Sequence, residues 1–132
     1  RWHRVGGEVI HGEQVGRAIG YPTANILPPE GLVQLADGIY ASLTHLPNER
    51  EPVPSMTYVG TRPALNTGRR LIETHLLDFD GDLYGQQLRV ELLQRIRADA
   101  DFPSVDELVA QLRRDEAATR DVLASRPSPV RV

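Results

Sequence analysis

Two periods divide the chain. As far as residue 96, apolar positions come in short runs and alternations broken by glycine, proline and aspartate. From residue 104 they recur at helical spacing. The first pattern predicts strands over 5–11, 39–45, 55–60, 71–78 and 87–96. Between them lie a polar turn at 46–54, a flexible loop at 61–70 with Pro63 and Gly68, and a tight turn at Asp80-Gly81. Residues 12–31 read as one long connection, because Pro22, Pro28, Pro29 and Gly31 break any regular element. A loop of that length in a small domain tends to be functional. Short strands at near-regular spacing favour a barrel or sandwich over a parallel α/β fold. In the last third, Val105, Leu108, Val109, Leu112, Thr119, Val122 and Leu123 fall on one helical stripe. Ser104 with Glu107 three residues on forms a capping box, and Pro103 precedes the cap. These signals predict a helix over 104–124 whose stripe closes one side or end of the barrel.

With 132 residues the chain is one domain, spanning 1–125, and the tail 126–132, with two prolines, is expected to fray. A hydrophobic fraction of 40% can fill a core at this size. Zero cysteines exclude a disulfide-built module and any thiolate metal site, and fit the cytoplasm. No apolar run approaches the roughly 18 residues of a membrane span, so no membrane partner is expected. The chain starts at Arg1 rather than at methionine, so it is expected to come from a longer polypeptide. A net charge of −3 argues against a general nucleic-acid binder. All 15 cationic side chains are arginine. Without lysine there is no Schiff-base nucleophile and no phosphate-loop lysine of the Walker kind.

Candidate chemistry concentrates in two places. The run Gly20-Tyr21-Pro22-Thr23-Ala24-Asn25 follows glycines at 12 and 16. Its lean backbone can approach phosphate, and Thr23 and Asn25 offer neutral oxygens to a hard cation. Neither is charged, so they could only complete the shell of a magnesium already held by phosphates and water. A plain turn with local side-chain hydrogen bonds explains the same residues equally well. Arg17, in the same loop, either neutralises a phosphate or is simply solvated. The second place is the 71–78 strand. Glu73 stands in an otherwise apolar stretch, where it is either a candidate general base in a pocket or an exposed solubilising residue. His75 lies about 7 Å further along the same face. It could exchange a proton with Glu73 or simply be hydrogen-bonded at the barrel surface. The other histidines have no metal-ligand spacing, and no G-x-S-x-G or G-x-G-x-x-G motif occurs.

Taken in order, several segments are similar to one family. They are residues 7–12 (GEVIHG), 16–25 (GRAIGYPTAN), 37–41 (DGIYA), 59–63 (VGTRP), 73–79 (ETHLLDF) and 82–85 (DLYG), followed by Arg97, residues 102–104 (FPS) and the closing helix. The chain resembles the riboflavin kinase (flavokinase) domain. That domain occurs free-standing in eukaryotes and as the C-terminal half of bacterial bifunctional riboflavin kinase/FMN adenylyltransferases. The resemblance implies a mainly β fold, a six-stranded antiparallel Greek-key β-barrel with one long C-terminal α-helix. It implies transfer of the ATP γ-phosphate to the ribityl 5′-hydroxyl of riboflavin, giving FMN and ADP, with Mg2+. It implies that Thr23 and Asn25 meet the metal and the phosphates, and that Gly12 and Arg17 lie in the nucleotide loop. Glu73 would then be the catalytic base. Leu76, Asp78 and Tyr84 would line the nucleotide pocket, partly through backbone groups, and Arg97 and Phe102 would contact the flavin. Loops 12–31 and 61–70 would close over the substrates. Ala100 stands where the eukaryotic form has lysine, and Tyr21 where phenylalanine or isoleucine is more usual, a change expected to be neutral. The competing expectation is a non-catalytic barrel that binds a nucleotide or flavin, or serves regulation. The acidic charge and 5% aromatic content argue against an RNA platform.

Overall fold

The computed structural model describes residues 3–10, 19–26, 35–60 and 71–125. Among these, six strands form a closed antiparallel barrel: β1 (His3–Ile10), β2 (Ala24–Ile26), β3 (Gly38–His45), β4 (Val53–Gly60), β5 (Leu71–Leu76) and β6 (Gln87–Arg97). Around the barrel the order is β1-β2-β5-β4-β3-β6. Strands β3, β4 and β5 follow one another as neighbours, and β6 returns to lie beside β3, which is a Greek key. Closure gives every strand two neighbours, although β1 meets β2 only at Val9 and Ile10. The helix α1 (Val105–Ser125) follows β6.

The five strands expected from alternation are all present, with ends shifted by a few residues. The sixth, β2, lies inside the stretch read as one long connection. Three residues are too few to show a period, and Pro22 immediately before them reads as a break. The strand exists because both neighbours offer it hydrogen bonds: Val9 and Ile10 of β1 on one side, Thr74, Glu73 and Ile72 of β5 on the other. Ile26 contributes by burial, with 1% of its surface exposed. Strand β5 ends at Leu76 rather than 78. The Leu77 amide still donates to the Pro54 carbonyl at 2.9 Å, but Asp78 turns to a left-handed φ of 57° and leaves the sheet. The expected tail at 126–132 and loop 61–70 lie outside the described residues, as does most of the 12–31 connection.

Inside the barrel, Val9, Ile26, Val59, Ile72, Val90 and Leu92 form the apolar centre. Beside them runs a column of hydroxyls. Thr74 meets Thr57 at 3.1 Å, Thr57 meets Ser42 at 2.7 Å, Ser42 meets Ser55 at 2.6 Å, and Ser55 meets Thr44 at 2.8 Å. All five residues are fully buried. A hydroxyl both donates and accepts, so a chain of them can satisfy itself without water or charge. Gly38 opens β3 with φ 153°, where an added Cβ would run into the Arg97 carbonyl of β6.

Outside the barrel, α1 lies against β3, β4 and β6. Leu112 packs with Ile39, Met56 and Tyr58 on the outer sheet face. The Ser104 half of the capping box forms: the Glu107 amide donates to the Ser104 hydroxyl at 3.2 Å. The stripe differs from expectation at its start and at Asp115. Val105 is 59% exposed; of the two fully buried helix residues, Thr119 lies on the expected stripe and the charged Asp115 is an addition to it.

The hydroxyl column carries a stability prediction. Thr57→Val keeps the shape but leaves the buried Thr74 hydroxyl without its partner. Urea unfolding is expected to show a loss of about 1–3 kcal/mol with an unchanged m-value.

Candidate functional site

Strand register builds the site. In an antiparallel pair, residues directly opposite share a face, with Cβ atoms about 4.5–5.5 Å apart. Asn25 of β2 stands opposite Glu73 of β5, and Glu73 stands opposite Tyr58 of β4. Ile72 and Thr74 on either side of Glu73 point into the barrel, so Glu73 points outward. It is nevertheless only 4% exposed. A buried carboxylate, a primary amide and a tyrosine thus form one row on the outer wall. The neighbouring Tyr58 hydroxyl donates to Asp99 at 2.9 Å. Thr23 lies two residues before Asn25, at the mouth of β2.

The segment leading into β2 is tied down on two sides. Gly20 makes a left-handed turn with φ 90°. The Tyr21 ring then packs with Ile39, Met56 and Tyr58 beside Leu112 of the helix. Its hydroxyl donates to Glu116 at 3.0 Å. Its ring meets the His75 ring edge-on, with centroids 5.1 Å apart. His75 donates from Nδ1 to the Pro22 carbonyl at 2.7 Å. This histidine serves as a strut for the proline turn, the second of its two possible roles.

Arg120 links the helix to the end of β5. Its two terminal nitrogens each reach an Asp78 oxygen at 3.0 Å, and its Nε and one terminal nitrogen reach Glu116 at 3.0 and 2.8 Å. The hydrogen bonds from Arg120 hold both the Asp78 and the Glu116 carboxyls below their ordinary range. Burial, and then the Glu116 carboxylate, push the Tyr21 phenol up, so it remains a donor.

Arg97 is engaged on another side of the helix. It donates to both oxygens of Asp115 at 2.9 Å, and Asp115 also receives the Gln111 amide at 2.9 Å. The Arg97 guanidinium sits over the Phe102 ring, 5.3 Å from its centroid.

The residues singled out from the sequence therefore fall into three groups. Glu73, Asn25 and Thr23 come together along the β2–β5 pair. Leu76, Asp78 and Tyr84 lie along β5 and the connection that follows it. The Leu76 side chain belongs to the barrel core, leaving backbone groups for any ligand. Asp78 faces Arg120, and Tyr84 is exposed, its amide capped by the Asp82 carboxylate at 3.0 Å. Arg97 and Phe102 stack on each other, apart from the first group in the chain and anchored to α1. Gly12 and Arg17 lie outside the described residues. Sequence reasoning passed over Tyr58, Asp99, Asp115, Glu116 and Arg120. One signal was available: Asp115 sits three residues after Leu112 and four before Thr119, on the helix's own inward stripe. A charged residue at such a position needs a buried partner.

Among the described residues no group of three or more histidine, aspartate or glutamate side chains could hold a metal by itself. Thr23 and Asn25 are neutral donors, suited to a cation that arrives with its own anionic ligand.

Comparison with known proteins places this architecture. The model of the flavokinase family, described as riboflavin kinase, matches residues 1–123. The chain belongs to the riboflavin kinase family. It is 42% identical over 117 residues to the bifunctional riboflavin kinase/FMN adenylyltransferase of Escherichia coli strain K12. That match covers 89% of this chain and 37% of the relative, so the chain spans little more than a third of that protein's length. Among solved structures, riboflavin kinase from Trypanosoma brucei superposes with a TM-score of 0.67 at 25% identity, covering 94% of this chain and 80% of that one. A structure described as a macrolide-efflux protein from Streptococcus pneumoniae superposes with a TM-score of 0.78 at 37% identity, over 89% of this chain and 38% of that one. Among the described residues no helix is long and apolar enough to cross a membrane.

Two measurements follow from the helix contacts. Asp115→Ala leaves the Arg97 guanidinium partly buried and unpaired, and is expected to cost about 3 kcal/mol in chemical denaturation. Glu116 has a folded pKa below its unfolded value, so its contribution is present above the unfolded value and is lost as pH falls through the folded one. Melting temperature is expected to fall as pH drops below the ordinary glutamate range, and to fall less steeply in Glu116→Gln.

Proposed function

We propose that this chain is a riboflavin kinase module, transferring the γ-phosphate of ATP to the ribityl 5′-hydroxyl of riboflavin and releasing FMN and ADP. Family membership supports the reaction class. The observation that carries the residue roles is the cross-strand pairing of Asn25 with Glu73. That pairing supports a reading in which Glu73, buried, is the proton acceptor and the half-buried Asn25 beside it faces the phosphates.

Phosphoryl transfer asks little covalent chemistry of the protein. It needs in-line positioning, charge stabilisation on the phosphates, and a group to take the hydroxyl proton. In this reading Thr23 and Asn25 orient the triphosphate through their side-chain oxygens and the lean backbone around Gly20. Glu73 accepts the proton of the 5′-hydroxyl as its oxygen bonds the γ-phosphorus. The bond from γ-phosphorus to the bridging oxygen breaks, and ADP leaves with that electron pair. Magnesium, bound with ATP, supplies neutralisation of the β- and γ-phosphate charge. Thr23 and Asn25 would complete its shell. The burial of Glu73 keeps bulk water from competing for the phosphate. Gly12 and Arg17 belong to the nucleotide loop in the same reading, and Leu76, Asp78 and Tyr84 to the adenine side. Phe102 and the Arg97 that stacks on it face the flavin.

The bifunctional relatives support a longer parent protein with an N-terminal FMN adenylyltransferase, which would take up the FMN made here. A cytoplasmic location follows from the use of ATP and a free vitamin.

Incubation of the chain with riboflavin and magnesium-ATP, followed by chromatography of the flavins, is expected to show FMN. Glu73→Gln keeps the shape and removes the base, and is expected to lower kcat by about 10²–10⁴-fold. Wild-type rates in that variant would remove Glu73 from the mechanism. No FMN from the unaltered chain would favour a non-catalytic flavin- or nucleotide-binding module.

A further inference from the structure

The contacts among Tyr21, Glu116, Arg120 and Asp78 close a circuit. Tyr21 donates to one oxygen of Glu116, and Arg120 binds the other. The same Arg120 grips both oxygens of Asp78. Three residues back along β5, His75 holds the Pro22 carbonyl, next to Tyr21. The circuit therefore joins two segments of the proposed site. One is the turn that delivers Thr23 and Asn25, and the other is the end of β5, where Asp78 opens the connection to Tyr84. Glu73 lies on the strand between them.

The energetics separate this circuit from an ordinary stabilising pair. Asp78 is 75% exposed and Arg120 43% exposed at their side chains. Ion pairs that open to solvent contribute about 0–1 kcal/mol to folding. What a bidentate guanidinium–carboxylate pair supplies instead is direction, because the planar fork fixes distance and orientation together. Asp78 is also held at a left-handed φ of 57°, a backbone state that non-glycine residues seldom occupy. Arg120 engages the residue at which the strand bends away.

We propose that Tyr21, Glu116, Arg120 and Asp78 form a positioning clamp that fixes the Thr23–Asn25 segment relative to the 78–85 turn, so that the two ends of one nucleotide are met at a set separation. This rests on the kinase reading above for the identity of the ligand. Tyr21, Glu116 and Arg120 touch no substrate in that reading; Asp78 stands on the adenine side, and its carboxylate is what Arg120 holds. The clamp acts through the placement of groups that touch the nucleotide.

Steady-state kinetics with Tyr21→Phe, Arg120→Gln, Arg120→Lys and the Tyr21→Phe/Arg120→Gln double variant test it. The sequence expectation that Tyr21 and phenylalanine are interchangeable here is revised, because the hydroxyl is bonded to Glu116. In each, KM for magnesium-ATP is expected to rise about fivefold, with KM for riboflavin and the melting temperature changed little. The double variant is expected to be no worse than the poorer single one, since either change opens the same circuit. Recovery by Arg120→Lys would overturn the clamp in favour of a bare positive charge. An unchanged KM for magnesium-ATP across the set would also overturn it. Two readouts do not need turnover. Calorimetric titration with magnesium-ADP is expected to show about fivefold weaker binding in Arg120→Gln. Amide exchange in the ligand-free chain is expected to quicken at both 19–26 and 77–86, and unchanged exchange at 19–26 would overturn the clamp even in an active enzyme. A wild-type chain that makes no FMN overturns the kinase reading, and the clamp is then judged by magnesium-ADP affinity and exchange. A wild-type chain that fails to bind magnesium-ADP overturns both.

Discussion

The barrel closes through three residues, Ala24–Ile26, and their register against β5 sets what the protein can do. Ile26 faces inward against Ile72, and Asn25 faces outward beside Glu73. The side-chain period of a strand is two, so a slip by one position would turn Asn25 into the core and Ile26 out of it. Burial of Ile26 and the cost of an unpaired amide inside the barrel oppose that slip. Fold energy and site geometry are thus one constraint. The apolar residue that closes the sheet aims its polar neighbour at the carboxylate.

The helix secures the rest by polar contacts more than by its apolar stripe. Asp115, fully buried, holds Arg97 at the end of β6 and leaves the guanidinium plane lying over Phe102. Glu116 and Arg120, one and five residues on, reach the turn before β2 and the bend after β5. Successive residues of one helix so serve two sides of the barrel. Rotation of α1 about its axis is opposed by directional bonds on both sides, where an oily face would tolerate several packings.

The fold was largely legible because its strands alternate and its helix has a stripe and a cap. The stretch 38–45 joins β-branched and aromatic residues to glycine punctuation, and Ser104 with Glu107 marks a helix start. What escaped was β2, whose existence depends on two partners distant in the chain rather than on its own composition. The site divides in the same way. Thr23, Asn25 and Glu73 could be singled out by residue type and by resemblance to a family. That Asn25 and Glu73 sit opposite each other is a fact of pairing, which no local pattern contains. Arg97 illustrates the converse: resemblance to the family implied a flavin contact, and the fold gives the guanidinium the task of satisfying Asp115. Glu116 and Arg120 look in sequence like an ordinary solvated i,i+4 pair, and only the chain's return at Asp78 and Tyr21 gives them partners.

The closing strand has a further consequence through its length. Among the described residues every other junction in the barrel is laced by at least six residue pairs, whereas β2 is joined to β1 by two and to β5 by three. Cooperative opening runs along the least-bonded path. That thinly laced seam carries the Asn25–Glu73 pair of the proposed site. If the barrel opens locally, a few rungs part there first, while the hydroxyl-lined remainder of the wall stays shut.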